Sequence, residues 1–255
     1  MIYDRRKTIE NLINQNGIVY YKELETLFPD VSTMTLRRDV QWCIAQGIAI
    51  KIQNGARSTL IENDENRETV YGRREGENVE AKVKLACEAL KFIEEGRSIY
   101  LDAGTTIIEL ARLLPNIKLS VLTSCPKIAL ETIKKHNHQV NIVGGTINSD
   151  NCAISGPQSI AFIKDINIDI AFMVPSGYSD NNGFTSGNHY ECELKRAIIK
   201  KANKIVMLTA AYKLDKTLPF TFATLRDVDY LITDTKQQRF TIKGATKNKL
   251  QIIEV

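Results

Sequence analysis

Residues 32–40, STMTLRRDV, have the pattern of the first turns of a capped amphipathic helix that carries two adjacent arginines. Ser32 is a good N-cap because its hydroxyl can accept a hydrogen bond from a free amide of the first turn. Apolar residues follow at helical spacing and predict one buried face, formed by Leu36, Val40, Cys43 and Ile44. The arginines then face solvent, and two interpretations are open: an ordinary solvated surface, or a surface that contacts a polyanion.

The segments around this stretch favour the second interpretation. Helical patterns over residues 4–16 and 21–28 precede it, with a short extended piece at 18–20 between them, and Pro29-Asp30 breaks the chain before Ser32. After Gly47, two short extended segments at 48–51 and 57–61 flank Asn54-Gly55, which is a hairpin turn signal. This order of elements predicts a winged helix-turn-helix domain over residues 1–61.

In a helix-turn-helix domain, the second helix lies in the major groove and its N-terminal residues meet base edges. Arginine suits this place because its planar fork contacts guanine bidentately or binds phosphate oxygens. The domain has only a small excess of Lys and Arg over Asp and Glu, so two domains on one palindromic site are expected. The predicted DNA-binding residues are Ser32, Thr33, Met34, Thr35, Arg37, Arg38, Lys51, Asn54 and Arg57.

The composition of the whole chain limits the class of protein. Its 255 residues suit two domains, and its hydrophobic fraction of 43% is typical of a globular protein. The net charge of +4 permits a polyanionic partner but does not argue for one. The five cysteines contain no C-x-x-C pair, which argues against a disulfide framework or a thiolate metal site and suits a reducing cytosol. No apolar run approaches the ~18 residues of a membrane span and no signal peptide is evident, so a soluble, cytoplasmic protein without a membrane partner is expected.

The chain beyond residue 61 divides into a polar segment and an alternating pattern. Residues 62–78 are charge-dense and nearly free of aliphatic side chains, which predicts a linker, and a helix is predicted over 79–95. Helical patterns near 106–113, 126–135, 157–164 and 188–202 then alternate with apolar strands at 99–101, 119–122, 140–143, 170–174, 205–208, 230–232 and 250–253. Such alternation predicts an open, mainly parallel α/β sheet, so residues 79–255 form the second predicted domain.

Three motifs fall at the ends of consecutive predicted strands. In YLDAGTT a strand ends at Asp102, a small-residue turn follows, and Thr105 and Thr106 begin a helix. Bare amides at a helix N-terminus, a glycine and two hydroxyls suit a phosphate group. LTSCPK places Ser124 after the next strand, and VGGT supplies two glycines at which backbone can approach a ligand closely. Each motif alone also fits an ordinary capped helix or turn, but together they predict a site for a phosphorylated small molecule at the carboxyl ends of the strands.

VSTMTLRRDV resembles the V-S-x-x-T-[IL]-R-R-D-L stretch of the DeoR family of bacterial transcription regulators, and RRKTIENLINQNGIVYYKEL resembles that family's first helix and approach. KIQNGA stands where the family has a basic wing with two glycines, the first of which is Asn54 here. The resemblance covers nearly the whole chain. It implies a second domain similar in fold to ribose-5-phosphate isomerase-type enzymes, which typically binds a phosphorylated sugar or a related metabolite.

The resemblance also implies partners and ligand-binding positions. The partners are double-stranded operator DNA and further copies of the chain, in a homodimer or a homotetramer. Glu191 and Lys195 are four residues apart on a predicted helix, so they equally fit a surface ion pair. The implied ligand-binding residues are Asp102, Gly104, Thr105, Thr106, Ser124, Gly144, Gly145, Gly156, Glu191, Lys195 and Lys213.

Two positions depart from the family pattern, because Ser176 and Ala210 stand where acidic residues are usual. Proton abstraction needs a positioned base, so we predict no catalytic residue, no metal and no cofactor. The leading interpretation is a DNA-binding repressor whose operator affinity is controlled by a phosphorylated sugar or a related metabolite. The alternatives are a sugar-phosphate isomerase that carries a helix-turn-helix module, and a ligand-independent regulator whose second domain serves for assembly.

Overall fold

The computed structural model describes residues 2–59, 71–240 and 250–255. The chain divides into two compact units, Met1–Asp64 and Glu65–Val255. Within the described ranges, no helix has both the length and the apolar composition that crossing a bilayer requires.

The first unit combines three helices with a small antiparallel sheet. The helices are α1 (Ile2–Asn16), α2 (Tyr21–Leu27) and α3 (Thr33–Ala45). The strands β1 (Ile18–Tyr20), β2 (Ala49–Ile52) and β3 (Gly55–Ser58) lie in the order β1-β3-β2. The core between them is formed by Ile9, Ile13, Val19, Leu24, Leu36, Val40, Cys43, Ala49 and Ala56. The winged helix-turn-helix prediction is confirmed.

The hairpin turn lies one residue earlier than predicted. Ile52 pairs with Gly55, so Gln53 and Asn54 form the turn, and Asn54 adopts a left-handed φ of 64°. Gly55 is the first residue of β3, where a Cβ would lie 2.2 Å from the carbonyl oxygen of Val19. Glycine is therefore required at this position by the close approach of β1. The last two residues of the predicted second strand, 60 and 61, lie outside the described residues.

The second unit is built on a seven-stranded parallel sheet, and all seven of its strands were predicted. The strands are β4 (Ser98–Leu101), β5 (Leu119–Thr123), β6 (His138–Ile142), β9 (Ile168–Met173), β12 (Ala202–Leu208), β14 (Tyr230–Thr233) and β15 (Gln251–Glu254). Their order is β15-β14-β12-β9-β4-β5-β6. Short strands outside this sheet were missed: β7 (Thr146–Ile147) with β8 (Ile154–Ser155), and β10 (Gly177–Ser179) with β11 (Gly183–Ser186) and β13 (Phe220–Ala223).

Helices pack on both faces of the large sheet. The elements α5 (Val79–Ala89), α6 (Thr105–Leu113) and α7 (Pro126–Thr132) contribute to one core, and α8 (Pro157–Ile163) and α9 (His189–Lys201) contribute to the other. Alternate residues of β4 face the two cores: Ile99 and Leu101 belong to the first, and Tyr100 belongs to the second. This is the arrangement that the alternating sequence pattern predicts.

The helix predicted over 79–95 is shorter than expected, and the predicted linker is partly helical. The helix predicted over 79–95 ends at Ala89, and a 3-10 turn follows over Leu90–Phe92. The predicted linker contains α4 (Tyr71–Gly76), whose Glu75 lies 2.9 Å from Lys127 Nζ and 3.4 Å from Arg112 Nη2. This end of the segment is therefore fixed to the second unit. The part of the predicted linker before residue 71 lies outside the described residues, and the boundaries at 61 and 79 stay predictions.

The order of the strands shows where the direction of the chain through the sheet reverses. From β4 the chain continues through β5 to β6, which is one edge strand of the sheet. From β9 it continues through β12 and β14 to β15, which is the other edge strand. The direction reverses between β4 and β9, and ligands of open α/β sheets bind outside the carboxyl ends of the strands at such a reversal. The motif that contains Asp102 begins at this point.

Candidate functional site

The N-terminus of α3 is capped by Ser32, as predicted. Ser32 Oγ accepts a hydrogen bond from the Thr35 amide at 3.3 Å, and it lies 2.9 Å from the Thr35 hydroxyl. The second contact engages the Thr35 side chain in the cap. The exposed side chains on the first turns of the helix are then Thr33, Met34, Arg37 and Arg38.

Asp39 faces the interior and not the two arginines beside it in the sequence. It is 2% exposed, and its carboxylate oxygens accept hydrogen bonds from Arg5 Nε at 2.6 Å and from Arg6 Nε at 2.9 Å. The acid thus ties α3 to α1. Since its charge is compensated there, the side chains of Arg37 and Arg38 present positive charge to solvent. Sequence reasoning missed these two contacts, because Arg5 and Arg6 are more than 30 residues away from Asp39.

The predicted residues of the hairpin occupy different environments. Lys51 on β2 and Asn54 in the turn are exposed. Arg57 is half-buried on β3, the central strand of the small sheet, where it pairs with Ile18 on one side and Ile50 on the other. The α3 surface and the hairpin lie in one unit. The DNA contacts of the nine predicted residues stay predictions.

Asp102 follows β4 at the reversal of strand order and is 1% exposed. Its Oδ1 accepts the amide of Ala103 at 2.9 Å, and its Oδ2 accepts the amide of Val174, after β9, at 3.0 Å. The ammonium of Lys195 on α9 contacts the same Oδ2 and donates to the Val174 carbonyl at 3.0 Å. The carboxylate therefore joins the ends of the two central strands through internal contacts.

Glu191 and Lys195 pair with one another, as their spacing allows, but the pair is buried, so its placement at the surface is wrong. Their exposed fractions are 5% and 1%, and Lys195 Nζ lies 3.3 Å from Glu191 Oε1. Glu191 Oε2 in turn accepts a hydrogen bond from Asn151 Nδ2 at 2.6 Å. Burial alone would lower the pKa of Lys195, but Asp102 and Glu191 beside it raise that pKa above its ordinary value. The ammonium consequently stays charged between two carboxylates.

Ser124 follows β5 and is 2% exposed. Its hydroxyl lies 2.9 Å from the hydroxyl of Tyr100, and its carbonyl accepts the amide of Ile154 at 2.7 Å. Burial raises the pKa of Tyr100, and the neighbouring Asp102 acts in the same direction, so the phenol stays protonated. Sequence reasoning missed Tyr100, whose position inside an apolar strand gives no functional signal.

The N-terminus of α6 follows Asp102 directly. Gly104 is its N-cap, where a Cβ would lie 2.4 Å from Cγ2 of Val174. Thr105 and Thr106 are the first two residues of the helix and are buried. The first amides of a helix have no partner within the helix, so this end can donate hydrogen bonds to an anion.

The remaining predicted ligand positions lie at neighbouring strand ends. Gly144 and Gly145 follow β6 and are exposed; Gly145 has a φ of 141°, and the Gly144 carbonyl accepts the Ser159 hydroxyl at 2.5 Å. Gly156 caps α8 with a φ of 122°. Lys213, after β12, donates to the carbonyl of Pro175 at 2.7 Å. The fold thus brings the predicted residues to the carboxyl ends of the strands, while their contact with a ligand stays a prediction.

The two positions that lack an acid also lie at carboxyl ends of strands. Ala210 follows β12 and is 1% exposed, and the amide of its neighbour Ala211 donates to Asp234 Oδ1 at 2.6 Å. Asp234 follows β14, and sequence reasoning missed it although it stands at a strand end. The amide of Ser176, after β9, donates to the carbonyl of Thr185 at 2.9 Å. Neither predicted position supplies a carboxylate.

Comparison with known proteins matches both parts of the chain. Residues 5–61 match the DeoR-like helix-turn-helix domain, and residues 77–235 match the DeoR C terminal sensor domain. The HTH-type transcriptional regulator GolR of Listeria innocua is 31% identical over 235 residues, covering 92% of this chain and 91% of the relative. The lactose phosphotransferase system repressor of Staphylococcus epidermidis is 28% identical over 235 residues, covering 91% and 92%. Among solved structures, ribose 5-phosphate isomerase A from Methanocaldococcus jannaschii matches with a TM-score of 0.40 and 18% identity, covering 54% of this chain and 55% of that chain.

Proposed function

The chain belongs to the DeoR family of helix-turn-helix transcriptional regulators, and on that premise we propose that it is an operator-binding repressor controlled by a phosphorylated sugar or a related metabolite. The observation that carries the proposal is the surface of α3. Its capped first turns expose Arg37 and Arg38, while the adjacent acid, Asp39, is held inside by α1. Exposed arginines at the start of such a helix suit base edges and phosphates in the major groove.

The proposed effector site is the edge of the sheet at the N-terminus of α6. Thr105, Thr106 and the first amides of α6 can donate to a phosphate group, and Ser124 follows the neighbouring strand. The name of the Staphylococcus epidermidis relative, a repressor of a lactose phosphotransferase system, supports a sugar-linked effector. Effector binding would change operator affinity only by binding one arrangement of the protein more tightly than another.

We propose no catalytic residue and no cofactor. An isomerase needs a base at the reacting carbons, and the positions where acids were expected hold Ser176 and Ala210. The isomerase alternative is therefore not favoured. A homodimer or a homotetramer is proposed, because two copies of the first unit would place two recognition helices on one palindromic operator.

An operator-binding assay tests both halves of the proposal. The full-length chain is used to select duplexes from a randomised DNA library, and affinity for the enriched duplex is measured by fluorescence anisotropy. We expect Arg37→Ala to weaken binding by about 1–3 kcal/mol. Enrichment of no duplex, or unchanged affinity in both Arg37→Ala and Arg38→Ala, would contradict the groove-binding assignment.

The effector is tested by adding phosphorylated sugars to the same complex, with the unphosphorylated sugars as matched controls. One phosphorylated compound should weaken operator binding, and Thr105→Val should require more of that compound for the same effect. If no phosphorylated metabolite changes operator affinity or the melting temperature, the effector half of the proposal is wrong while the DNA-binding half stands.

A further inference from the structure

The two adjacent arginines of α3 have different surroundings. The Cζ atom of Arg37 lies 5.2 Å from the centroid of the Tyr21 ring, which is within the range of a cation–π contact. Within the residues that the structure describes, Arg38 is exposed and has no hydrogen bond, ion pair or ring contact. The guanidinium of Arg37 therefore has an aromatic partner before any DNA is bound.

Tyr21 is placed to connect three parts of the first unit. It is the first residue of α2 and is half-buried, and its ring packs against the core of the unit. Its backbone amide donates to the carbonyl of Asn54, in the hairpin turn, at 2.9 Å. The preceding residue, Tyr20, pairs with Gly55. One residue thus contacts both the recognition helix and the turn of the wing.

Holding a guanidinium in place matters more for reading a base than for binding a phosphate. A long side chain loses rotamer freedom when it binds, and a ring that orders it beforehand reduces that loss. Bidentate contact with guanine O6 and N7 also requires the plane of the fork to be oriented. A phosphate contact fixes register but carries no sequence information, and a mobile cation serves it well.

We propose that Tyr21 is a positioning residue for sequence reading: its ring presents Arg37 to a base edge, at the point where its backbone amide joins the start of α2 to the turn of the wing. Arg38 binds a phosphate. This inference rests on the proposed function, since it requires α3 to enter the major groove.

The experiment measures discrimination, which is the ratio of affinities for the duplex enriched by the wild-type chain and for a scrambled duplex of the same composition. In Tyr21→Leu, discrimination should fall roughly 3- to 10-fold. The salt dependence of binding to the scrambled duplex should not change, because the charge of Arg37 remains. Tyr21→Phe keeps the ring and should keep discrimination.

Arg38→Ala is the contrasting variant. It should weaken binding to both duplexes equally and reduce the slope of log affinity against log salt by about one. Arg37→Lys keeps the charge without the fork, so it should lose discrimination as Tyr21→Leu does. This variant tests the role of the fork even if Tyr21→Leu does not fold.

Several outcomes would overturn the inference. Full discrimination in a folded Tyr21→Leu or in Arg37→Lys would show that an oriented fork is not what reads the sequence. A loss in Tyr21→Phe as large as in Tyr21→Leu would show that the phenol hydroxyl acts instead of the ring. If the wild-type chain enriches no duplex, the proposed function itself fails, whereas enrichment with unchanged discrimination in Tyr21→Leu overturns this inference alone.

Discussion

The α3 surface and the carboxyl ends of the strands of the large sheet differ in which charged side chains they bury. On α3 the acid turns inward: Asp39 binds the arginines of α1, and Arg37 stays exposed. At the strand ends the cation is buried together with its acids, because Lys195 lies between Asp102 and Glu191. The first arrangement leaves cations at the surface for a polyanion. In the second, the ammonium of Lys195 contacts both carboxylates inside the protein, so we expect an arriving ligand to meet the amides and hydroxyls of the neighbouring helix N-terminus.

The largest effect should come from breaking the buried cluster. Lys195→Met leaves the carboxylates of Asp102 and Glu191 buried without a cation, which should lower the free energy of unfolding by about 3–5 kcal/mol. The measurement is urea unfolding of the second unit by far-UV circular dichroism. Lys200→Met, an exposed position on the same helix, is the matched control. Equal midpoints for the two variants would show that the cluster does not depend on its cation.

Removing the charge of Asp39 should destabilise the protein less, because its partners Arg5 and Arg6 are partly exposed. Asp39→Asn keeps the shape of the side chain but removes the charge that Arg5 and Arg6 contact, and should cost about 1–3 kcal/mol. Trp42, the single tryptophan, lies on α3, so its fluorescence reports unfolding of the first unit. Asp30→Asn, at an exposed position, is the control. An unfolding midpoint equal to that of the control would contradict a structural role for the contacts of Asp39 with Arg5 and Arg6.

The cap of α3 should contribute less again. Ser32→Ala removes the acceptor of the Thr35 amide and should destabilise the first unit by about 1 kcal/mol. The same tryptophan signal measures the loss. Thr33→Ala, one residue further along the helix, makes no cap and should be neutral or slightly stabilising. A destabilisation as large in Thr33→Ala as in Ser32→Ala would show that the cap bond is not the cause.

The smallest expected effect concerns pH: the contribution of Lys195 to the free energy of unfolding should stay constant near neutral pH. The pKa of Lys195 is raised in the folded protein, so its contribution is fully present below the unfolded value and is lost only as pH rises through the folded value. The unfolding free energy of the wild type minus that of Lys195→Met should therefore not fall between about pH 7 and pH 9. Parallel urea titrations across this range measure the difference. A fall toward pH 9 would mean that the ammonium loses its proton early and that the two carboxylates do not hold its charge.

Local patterns in the sequence were sufficient to predict most of the fold. The strands of the large sheet are apolar runs separated by helical patterns, and the Ser32 cap depends on residues within one turn. Among the missed strands, β7 and β8 have two residues each, which is too short to show an alternation. Gly55 was assigned to the turn because Asn-Gly is a turn signal, while its real constraint comes from Val19, which is far away in the sequence.

The candidate sites were predicted less completely, because their charges are compensated over long distances. Four-residue spacing on a helix suggested a surface pair for Glu191 and Lys195, but the contact that buries Lys195 is with Asp102, 93 positions earlier. Asp39 likewise stands beside Arg37 and Arg38 in the sequence, whereas its partners lie 33 and 34 positions away. Sequence spacing indicates which residues share an element, and it does not show which way a compensated charge will turn.

The pairing of β4 with β9 has a kinetic consequence for the newly made chain. The contacts within the first unit are complete once about 60 residues have emerged, whereas Asp102 must wait for Val174, 72 positions later, and for Lys195, 93 positions later. At roughly 5–20 residues per second, ribosomal synthesis takes on the order of 5–20 s to cover the second interval. During that time the carboxylate has no cation and must stay hydrated. The centre of the sheet therefore closes late, after the helix-turn-helix unit has been able to fold.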